Sequence, residues 1–375
     1  MTTTTSGDPW VVRTYGGTLE DVLVLAGPSA NEEMTIRADI PPECNGRYLP
    51  GEKNLVRAIG CRSPAAGRYE FTVTTNSGQQ VVVGGDRLDQ IVAGSSVNVA
   101  FSLQRLGVDD VAVFAPIGIG RGGQFISSTL QERHFRLALY RSPTGTARTL
   151  TVRSPHGGRS TLFLEKPSCA ASDEVVRSLT SVRPALLIAT GVKPDDLTLI
   201  ESMFRQEGVG IARVFTPNRE LLARADLHER VLAMLAGVDL FQLNHLEAGR
   251  CLGEEFRFET ATEQVKRLAE KVGAKVTGVT MGGRGAVFVE KGQEPIFQEA
   301  CSVPPEKLRD DCGSGDAFLT AAVYLRFIRS PPLLLSDCLR AAAWVAAEKV
   351  QQDGPWSGIP DQSQLVGKLT EWGIH

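Results

Sequence analysis

The stretch Arg309-Asp310-Asp311-Cys312-Gly313-Ser314-Gly315-Asp316-Ala317-Phe318-Leu319-Thr320 joins a glycine turn to an apolar helix. Glycines let successive backbone N–H groups converge on one point, and the start of a helix adds a partial positive charge there. The sequence therefore predicts an anion site at Gly313, Ser314 and Gly315. Phosphate is the anion that suits such a corner.

An acid, Asp316, follows the two glycines at once. A carboxylate does not bind phosphate, because like charges repel, but it is well placed to take a proton from a hydroxyl that faces the phosphate. This predicts phosphoryl transfer to an alcohol, with Asp316 as the base. The alternative is an ordinary turn in which Asp316 caps the helix, and on these residues alone it stays open.

The same stretch resembles the carboxy-terminal signature of the ribokinase-like (PfkB) sugar kinases, Asp-Thr-x-Gly-Ala-Gly-Asp. Asp310, Gly313, Gly315 and Asp316 match it, while Asp311 replaces the threonine and a serine replaces the alanine. The resemblance implies that Asp316 is the catalytic base. It also implies that the amides of residues 313–315 stabilise the transferred phosphoryl group.

A predicted strand at residues 21–26 leads into small and polar residues that include Asn31 and Glu33. Polar residues after such a strand lie where α/β proteins bind ligands, although a solvated turn is an equal alternative. The family has Asn-x-Asp here, whose acid binds sugar hydroxyls. The resemblance thus implies substrate binding by Asn31 and Glu33, with Glu33 as a longer substitute.

Residues 92–107 predict a helix with an apolar face that ends at Gly107. Asn98, in its first turn, needs a polar partner if it is buried, either as a cap or as a ligand contact. The stretch is similar to the family's Gly-Gly-x-x-x-Asn signature, which implies that Gly94 and Asn98 bind substrate. Ala93 replaces the first glycine, a change expected to stiffen or shift a lid hinge.

The predicted strand at 238–243 leads to Asn244-His245-Leu246-Glu247. If a helix begins there, Asn244 and Glu247 share one face and offer the oxygen ligands that hydrated magnesium prefers. An N-capped helix with a glutamate in its first turn is the alternative. The family's Asn-x-x-Glu motif implies that both residues act on Mg²⁺, partly through water.

A predicted strand at 276–280 ends in a glycine turn, which by itself is also compatible with a hairpin. Thr280, Gly282, Gly285 and the following alanine resemble the family's Thr-x-Gly-x-x-Gly-Ala, which implies contacts with nucleotide phosphates. A Gly-x-Gly-x-x-Gly run at 118–123 is interpreted as a chance match to the dinucleotide fingerprint. The family carries an acid where Gly120 stands.

Alternating strand and helix patterns predict an α/β fold with a mostly parallel central sheet and helices on both faces, and short β-type runs after the first strand predict a small inserted β-sheet. The resemblance implies that the fold is ribokinase-like and that the inserted sheet is a lid. We expect a loose extension at 1–16, a kinase core at 17–33 and 93–375, and the lid at 34–92. A long extra loop is expected around residues 41–67.

The composition, with a net charge of −3 and a sequence pI of about 6.0, gives no indication of nucleic-acid binding. The sequence contains no apolar run approaching the ~20 residues of a membrane span, and its polar start does not resemble a signal peptide. The seven cysteines are odd in number and lack a Cys-x-x-Cys pair. We therefore expect reduced thiols in a cytoplasmic protein without a zinc site.

The resemblance implies an ATP-dependent carbohydrate kinase that uses Mg²⁺, with a monovalent cation as an optional activator and a homodimer formed through the lid. A nucleoside kinase of the same fold is one alternative, in which Tyr69 or Phe71 would stack on the base. A non-catalytic binding or regulatory protein is another. The departures at Asp311, Ala93 and Gly120, together with that at residue 33, leave this second alternative open.

Overall fold

The structure is a computed structural model of the 375-residue chain. It describes residues 22–26, 31–37, 53–65, 68–75, 80–85, 87–142, 148–153, 159–164, 186–192, 194–205, 211–217 and 219–375. The extension predicted at residues 1–16 lies outside these ranges.

The strands, in chain order, are β1 (Val22–Ala26), β2 (Asn31–Arg37), β3 (Lys53–Ala65), β4 (Arg68–Thr75), β5 (Gln80–Gly85), β6 (Arg87–Ala93), β7 (Val111–Gly118), β8 (Arg136–Ser142), β9 (Arg148–Arg153), β10 (Arg159–Leu164), β11 (Leu186–Val192), β12 (Ala212–Pro217), β13 (Leu240–Asn244), β14 (Val276–Thr280), β15 (Ala286–Glu290) and β16 (Ile296–Gln298).

The α-helices are α1 (Ser95–Arg105), α2 (Arg121–Glu132), α3 (Leu197–Phe204), α4 (Arg219–Ala223), α5 (His228–Leu235), α6 (His245–Leu252), α7 (Ala261–Val272), α8 (Ser314–Val323), α9 (Leu335–Lys349) and α10 (Gln362–Glu371). A π-helical turn, Tyr324–Ile328, continues α8.

The larger sheet has nine strands in the order β16-β15-β14-β13-β12-β11-β1-β7-β8. Pairing is parallel from β14 through to β8, and only β15 and β16 at one edge are antiparallel. The predicted α/β class with a mostly parallel central sheet is confirmed.

Helices cover both faces of this sheet because its strands are apolar on both sides. Every residue of β7 is buried. Val111 and Val113 belong to the core with α1, α8 and α9, whereas Ala112 and Phe114 belong to the core with α3 and α7. Successive side chains of a strand point to opposite faces, so one continuous apolar run serves two cores.

The second sheet has seven strands in the order β5-β4-β3-β10-β9-β2-β6. It includes β2, which begins at Asn31, and it takes β9 and β10 from residues 148–164, so it draws on more of the chain than the expected segment 34–92. The extra loop expected around 41–67 is wrong for residues 53–65, which form β3. The separation of these strands along the chain hides their pairing from local sequence patterns.

The apolar helices of the described ranges are too short to cross a membrane. The cysteines at 251, 301, 312 and 338 are thiols, with no disulfide among these four residues. Burial in an apolar core raises the pKa of the Cys338 thiol from 9.0 to about 12 and that of Cys251 to about 11. Both thiols are therefore protonated at neutral pH.

Candidate functional site

Two helix starts meet at the centre of the candidate site. α1 begins after Gly94, whose φ of 117° requires glycine, and α8 begins after Gly313, with a φ of 75°. The Nδ2 of Asn98, in the first turn of α1, donates a hydrogen bond of 2.7 Å to Oδ2 of Asp316, in the first turn of α8. Two side chains that the sequence singled out separately are thus in contact.

The Oδ1 atom of Asn98 is buried and has no hydrogen-bond partner within the described part of the chain. An unpaired buried acceptor costs roughly 1–3 kcal/mol, so this atom is a candidate contact for a ligand hydroxyl. The half-buried carboxylate of Asp316 lies beside it. This part of the site can therefore orient a hydroxyl near a potential base.

The loop before α8 has the glycine turn that the sequence predicts. A Cβ at Gly313 would lie 1.8 Å from the carbonyl oxygen of Pro355, so this glycine is required by backbone packing as well as by its φ. The amide of Ser314 donates to the carbonyl of Asp311 at 3.2 Å and closes the turn. Gly315 is exposed, and a Cβ there would meet no atom within 4 Å.

Gly315 is the second residue of α8, where a helix leaves backbone N–H groups without an internal acceptor. Gly315 is exposed and has open space where a Cβ would lie, whereas Gly313 packs against Pro355, so an anion has more room to approach at Gly315. The three predicted anion-binding amides therefore differ in their surroundings.

Gln242 is a member of the site that the sequence analysis missed. It is buried in β13, its Nε2 lies 3.4 Å from the carbonyl oxygen of Gly315, and its Oε1 has no partner within the described residues. A glutamine on the interior of a parallel-sheet strand, between the apolar Phe241 and Leu243, is the signal that could have identified it.

Neighbouring parallel strands bring the predicted magnesium and nucleotide residues together. Asn244, the last residue of β13, is in register with Thr280, the last residue of β14. The side chain of Thr280 is directed to the β13 carbonyl of Leu243, at 3.4 Å. Both predicted motifs thus start at the same edge of the sheet, where open α/β sheets bind ligands.

Asn244 and Glu247 form a complete capping box. Oδ1 of Asn244 accepts from the amide of Glu247 at 2.9 Å, and a carboxylate oxygen of Glu247 accepts from the amide of Asn244 at 3.0 Å. The N-cap alternative from the sequence therefore describes the contacts of these two side chains.

The same pair also offers the kind of oxygen ligand that a hydrated magnesium ion prefers. Asn244 is exposed and Glu247 is half-buried. The described residues contain no cluster of three or more His, Cys, Asp or Glu side chains that could hold a metal. Mg²⁺ typically keeps several waters and binds one or two side-chain oxygens plus substrate phosphates, so the residues present fit an ion of that kind.

The turn after β14 separates the two predicted phosphate-binding glycines. Gly282, with a φ of 59°, has open space where a Cβ would be, so a ligand can approach its backbone closely. Gly285, with a φ of 99°, would place a Cβ 2.2 Å from the carbonyl oxygen of Gln298 on β16. Gly285 is thus required by the packing of β15 and β16, and Gly282 is the better candidate for a phosphate contact.

The predicted substrate residues lie on β2 of the second sheet and at the junction between β6 and α1. Asn31, the first residue of β2, pairs with Ala93, the last residue of β6, and Gly94 follows at the start of α1. Glu33 lies two residues further along β2, in register with Ile91. The backbone therefore brings the Asn31 and Asn98 motifs to one junction, while the side-chain contacts of Asn31 and Glu33 stay predictions.

The Gly-x-Gly-x-x-Gly run has a packing role. A Cβ at Gly123, in α2, would lie 1.8 Å from the carbonyl oxygen of Gly118 at the end of β7, whereas Gly120 has open space around it. Gly123 thus allows the close contact between β7 and α2. This packing accounts for a glycine at position 123, so the run does not require a bound dinucleotide.

Sequence comparison finds a match to the family described as "pfkB family carbohydrate kinase" over residues 66–362. A ribokinase from Arabidopsis thaliana is 30% identical over 142 residues, which is 38% of this chain and 36% of the relative. The match therefore spans little more than a third of that relative's length.

Three solved structures show the same fold. A probable sugar kinase protein from Rhizobium etli CFN 42 has a TM-score of 0.68 at 18% identity, covering 96% of this chain and 100% of the other. Arabidopsis thaliana ribokinase complexed with ribose and ATP has a TM-score of 0.64 at 17% identity, covering 93% and 98%. Adenosine kinase from Sinorhizobium meliloti has a TM-score of 0.66 at 16% identity, covering 94% and 99%.

The family match extends from the second sheet to the start of α10 and contains the Asn98, Asn244, Thr280 and Asp316 motifs. It covers well over half of the chain. This protein therefore belongs to the PfkB family of carbohydrate kinases.

Proposed function

We propose that this protein is an ATP-dependent kinase that transfers the γ-phosphoryl group to a hydroxyl of a sugar or sugar-like molecule. The observation that carries the proposal is the hydrogen bond of 2.7 Å between Asn98 and Asp316. This hydrogen bond holds the Asp316 carboxylate at the start of α8, where a phosphate is expected to bind. The same carboxylate lies beside Asn98, which is predicted to bind the substrate.

Asp316 acts as the general base. As the acceptor oxygen attacks the γ-phosphorus, its proton passes to the Asp316 carboxylate, the new O–P bond forms, and the bond from phosphorus to the bridging oxygen of ADP breaks. The amide group of Asn98 has no basic site and cannot take this proton. Its role is to orient the carboxylate and, through Oδ1, to accept from a substrate hydroxyl.

The helix start supplies the charge stabilisation for the transferred group. Negative charge on the phosphoryl oxygens is favoured by the N-terminal end of α8 and by the amides of residues 313–315, with Gly315 the most accessible of the three. Thr280 and Gly282, with Gly285 holding their turn in shape, bind the phosphates of ATP. Asn244 and Glu247 would hold Mg²⁺ through water, and the bound ion would supply positive charge to the phosphates.

The substrate lies between Asn31 and Glu33 on one side and Gly94 and Asn98 on the other. Their backbones converge where β2 and β6 of the second sheet meet α1, so the second sheet is suited to cover the substrate and exclude water. A homodimer formed through this sheet, in a cytoplasmic protein, belongs to the same proposal. Light scattering of the wild-type protein tests the dimer.

The main test is ADP release from Mg-ATP with a panel of pentoses, hexoses, polyols, sugar phosphates and nucleosides. We expect turnover with a sugar-like member, and a loss of about 10²–10⁴-fold in the Asp316→Asn variant, because this is what a general base contributes. ATP binding should persist in the variant.

Each other result has a defined meaning. Wild-type turnover in Asp316→Asn would contradict the assignment of the base. Preference for a nucleoside would favour the nucleoside-kinase alternative. ATP binding without turnover on every member would favour a non-catalytic protein.

A further inference from the structure

A lysine is completely buried beneath the loop that precedes α8. Lys349, the last residue of α9, has 0% of its surface exposed. It continues a buried stripe of that helix formed by Cys338, Ala342 and Val345, at the spacing of one helix face. A lysine at such a position is unusual, since a buried ammonium must be paired with oxygen acceptors to be tolerated.

Two acceptors of this ammonium belong to Asp310, the first residue of the loop at residues 310–313 that precedes α8. Nζ of Lys349 donates to the backbone carbonyl of Asp310 at 2.7 Å and lies 3.9 Å from its Oδ2. The Asp310 carboxylate, also buried, accepts from the amides of Cys312 and Gly354, both at 2.9 Å. The ammonium thus balances a buried negative charge immediately before the anion-binding turn.

The end of α9 and the chain that follows it form the base of this loop. The amides of Arg309 and Asp310 donate to the carbonyl of Val350 at 2.8 and 3.1 Å, and Gly313 packs against the carbonyl of Pro355. The end of α9 therefore fixes the position of this loop, and Lys349 supplies a positive charge to it at Asp310. Without the positive charge of Lys349, burial of the Asp310 carboxylate would be unfavourable, and the carboxylate would repel an approaching phosphate.

A backbone carbonyl and a carboxylate are also the oxygen donors that an alkali cation uses. At Asp310 both of these donors face the Lys349 ammonium. The residues present therefore do not fit a separate monovalent cation at this position, contrary to the optional activator that the family resemblance implied.

We propose that Lys349 is a positioning residue whose ammonium serves as the built-in cation of the loop at residues 310–313, which precedes α8. The protein then needs no added monovalent cation to order Asp310 and the turn that follows. The link to catalysis rests on the proposed kinase function, whereas the structural part does not.

The test compares KCl, NH₄Cl, NaCl and tetramethylammonium chloride at equal ionic strength, with two readouts, the thermal unfolding midpoint of the full chain and ADP release. Wild-type protein should have the same unfolding midpoint in all four salts. Its turnover should vary by less than about twofold, which corresponds to a change of less than about 1 kcal/mol in the activation free energy. A saturable, K⁺-specific increase in the wild-type midpoint or turnover would overturn the proposal.

Two variants separate positioning from packing. Lys349→Ala opens a space beside the Asp310 oxygens, and NH₄⁺ or K⁺, but not tetramethylammonium, should raise its midpoint and restore part of its turnover. Lys349→Met fills the same space without charge and should not respond. Both should lose about a hundredfold in turnover without added small cations, which is what a 1 Å misplacement of reacting groups can cost.

A Lys291→Ala variant, in which an exposed lysine is removed, is the control and should behave as wild type. Identical responses of Lys349→Ala to all four salts would contradict the built-in cation. If Lys349→Ala does not fold, the wild-type salt series decides alone. Absence of wild-type turnover on every substrate would count against the proposed function, and the unfolding midpoints would still decide the role of Lys349.

Discussion

Asn98 and Asp316 are 218 positions apart in the chain, yet Nδ2 of Asn98 lies 2.7 Å from Oδ2 of Asp316. Each residue lies in the first turn of its own helix, and α1 and α8 pack against each other. The contact joins α1, which follows β6 of the second sheet, to α8, which begins after Gly313. The orientation of the candidate base therefore depends on Asn98, a residue that the sequence predicts to bind the substrate.

Removal of this contact should impair the reaction more than the fold. Asn98→Ala deletes a hydrogen bond to a charged group, worth about 1.5–3 kcal/mol, so we expect kcat/KM to fall by about 10–100-fold. The measurement is ADP release with the best substrate of the panel. Ser102→Ala is the matched control, because the Ser102 hydroxyl donates to the carbonyl of Asn98 one turn away and does not touch Asp316. Equal kcat/KM in Asn98→Ala and wild type would contradict the orienting role.

Gly313 and Gly315, at the start of α8, should respond oppositely to substitution by alanine. Gly313→Ala places a Cβ 1.8 Å from the Pro355 carbonyl at a φ of 75°, and we expect a loss of roughly 2 kcal/mol or more in unfolding free energy. Gly315→Ala adds a methyl group in open space inside a helix, so stability should stay unchanged or rise by up to about 1 kcal/mol.

Activity then distinguishes the two variants further. If the phosphoryl group lies against Gly315, the added methyl group should lower turnover strongly in a protein that is fully folded. Urea unfolding and ADP release on the same preparations provide both values. Full activity of Gly315→Ala would show that the phosphoryl group does not approach this residue.

A substitution at Glu247 can separate its observed role in the capping box from its proposed role in holding Mg²⁺. Glutamine also completes a capping box, so Glu247→Gln should retain the unfolding free energy within about 0.5 kcal/mol. Loss of the charge should raise the Mg²⁺ concentration for half-maximal turnover by about tenfold. Asn244→Ala, which removes the cap itself, should cost about 1 kcal/mol. An unchanged Mg²⁺ titration in Glu247→Gln would mean that the pair only caps α6.

Buried thiols should make the protein less stable in alkali. The Cys338 pKa is raised from 9.0 to about 12 by burial, so the folded state retains a proton that the unfolded state loses. Its stabilisation is fully present below pH 9 and is lost as pH rises from 9 towards 12. Between pH 8 and 10 this amounts to roughly 1 kcal/mol.

The measurement is the unfolding free energy by urea across this pH range. Cys338→Ala should show a shallower decline than wild type. Val345→Ala, on the same buried face of α9, creates a similar cavity without a titrating group and should retain the wild-type slope. Equal slopes in all three proteins would contradict the raised pKa of Cys338.

Much of this protein was predictable from local sequence. The apolar run of β7 predicts a strand buried on both faces, the turn and apolar run after Gly313 predict the start of α8, and Asn244 with Glu247 predicts a capped helix. These signals are readable because strand burial, glycine conformation and N-caps depend on residues only a few positions apart. The order of the motifs along the chain also predicts the PfkB family, and this prediction is confirmed.

Tertiary structure decided what those residues contact. Gly313 and Gly315 look alike in the sequence, but Gly313 has a positive φ and packs against Pro355, whereas Gly315 lies exposed in the first turn of α8. The pairing of Lys349 with Asp310, 39 positions away, and the entry of β9 and β10 into the second sheet likewise have no local pattern. The physical reason is that a buried charge or a strand pairing depends on partners brought close by the fold, and those partners can lie anywhere in the sequence.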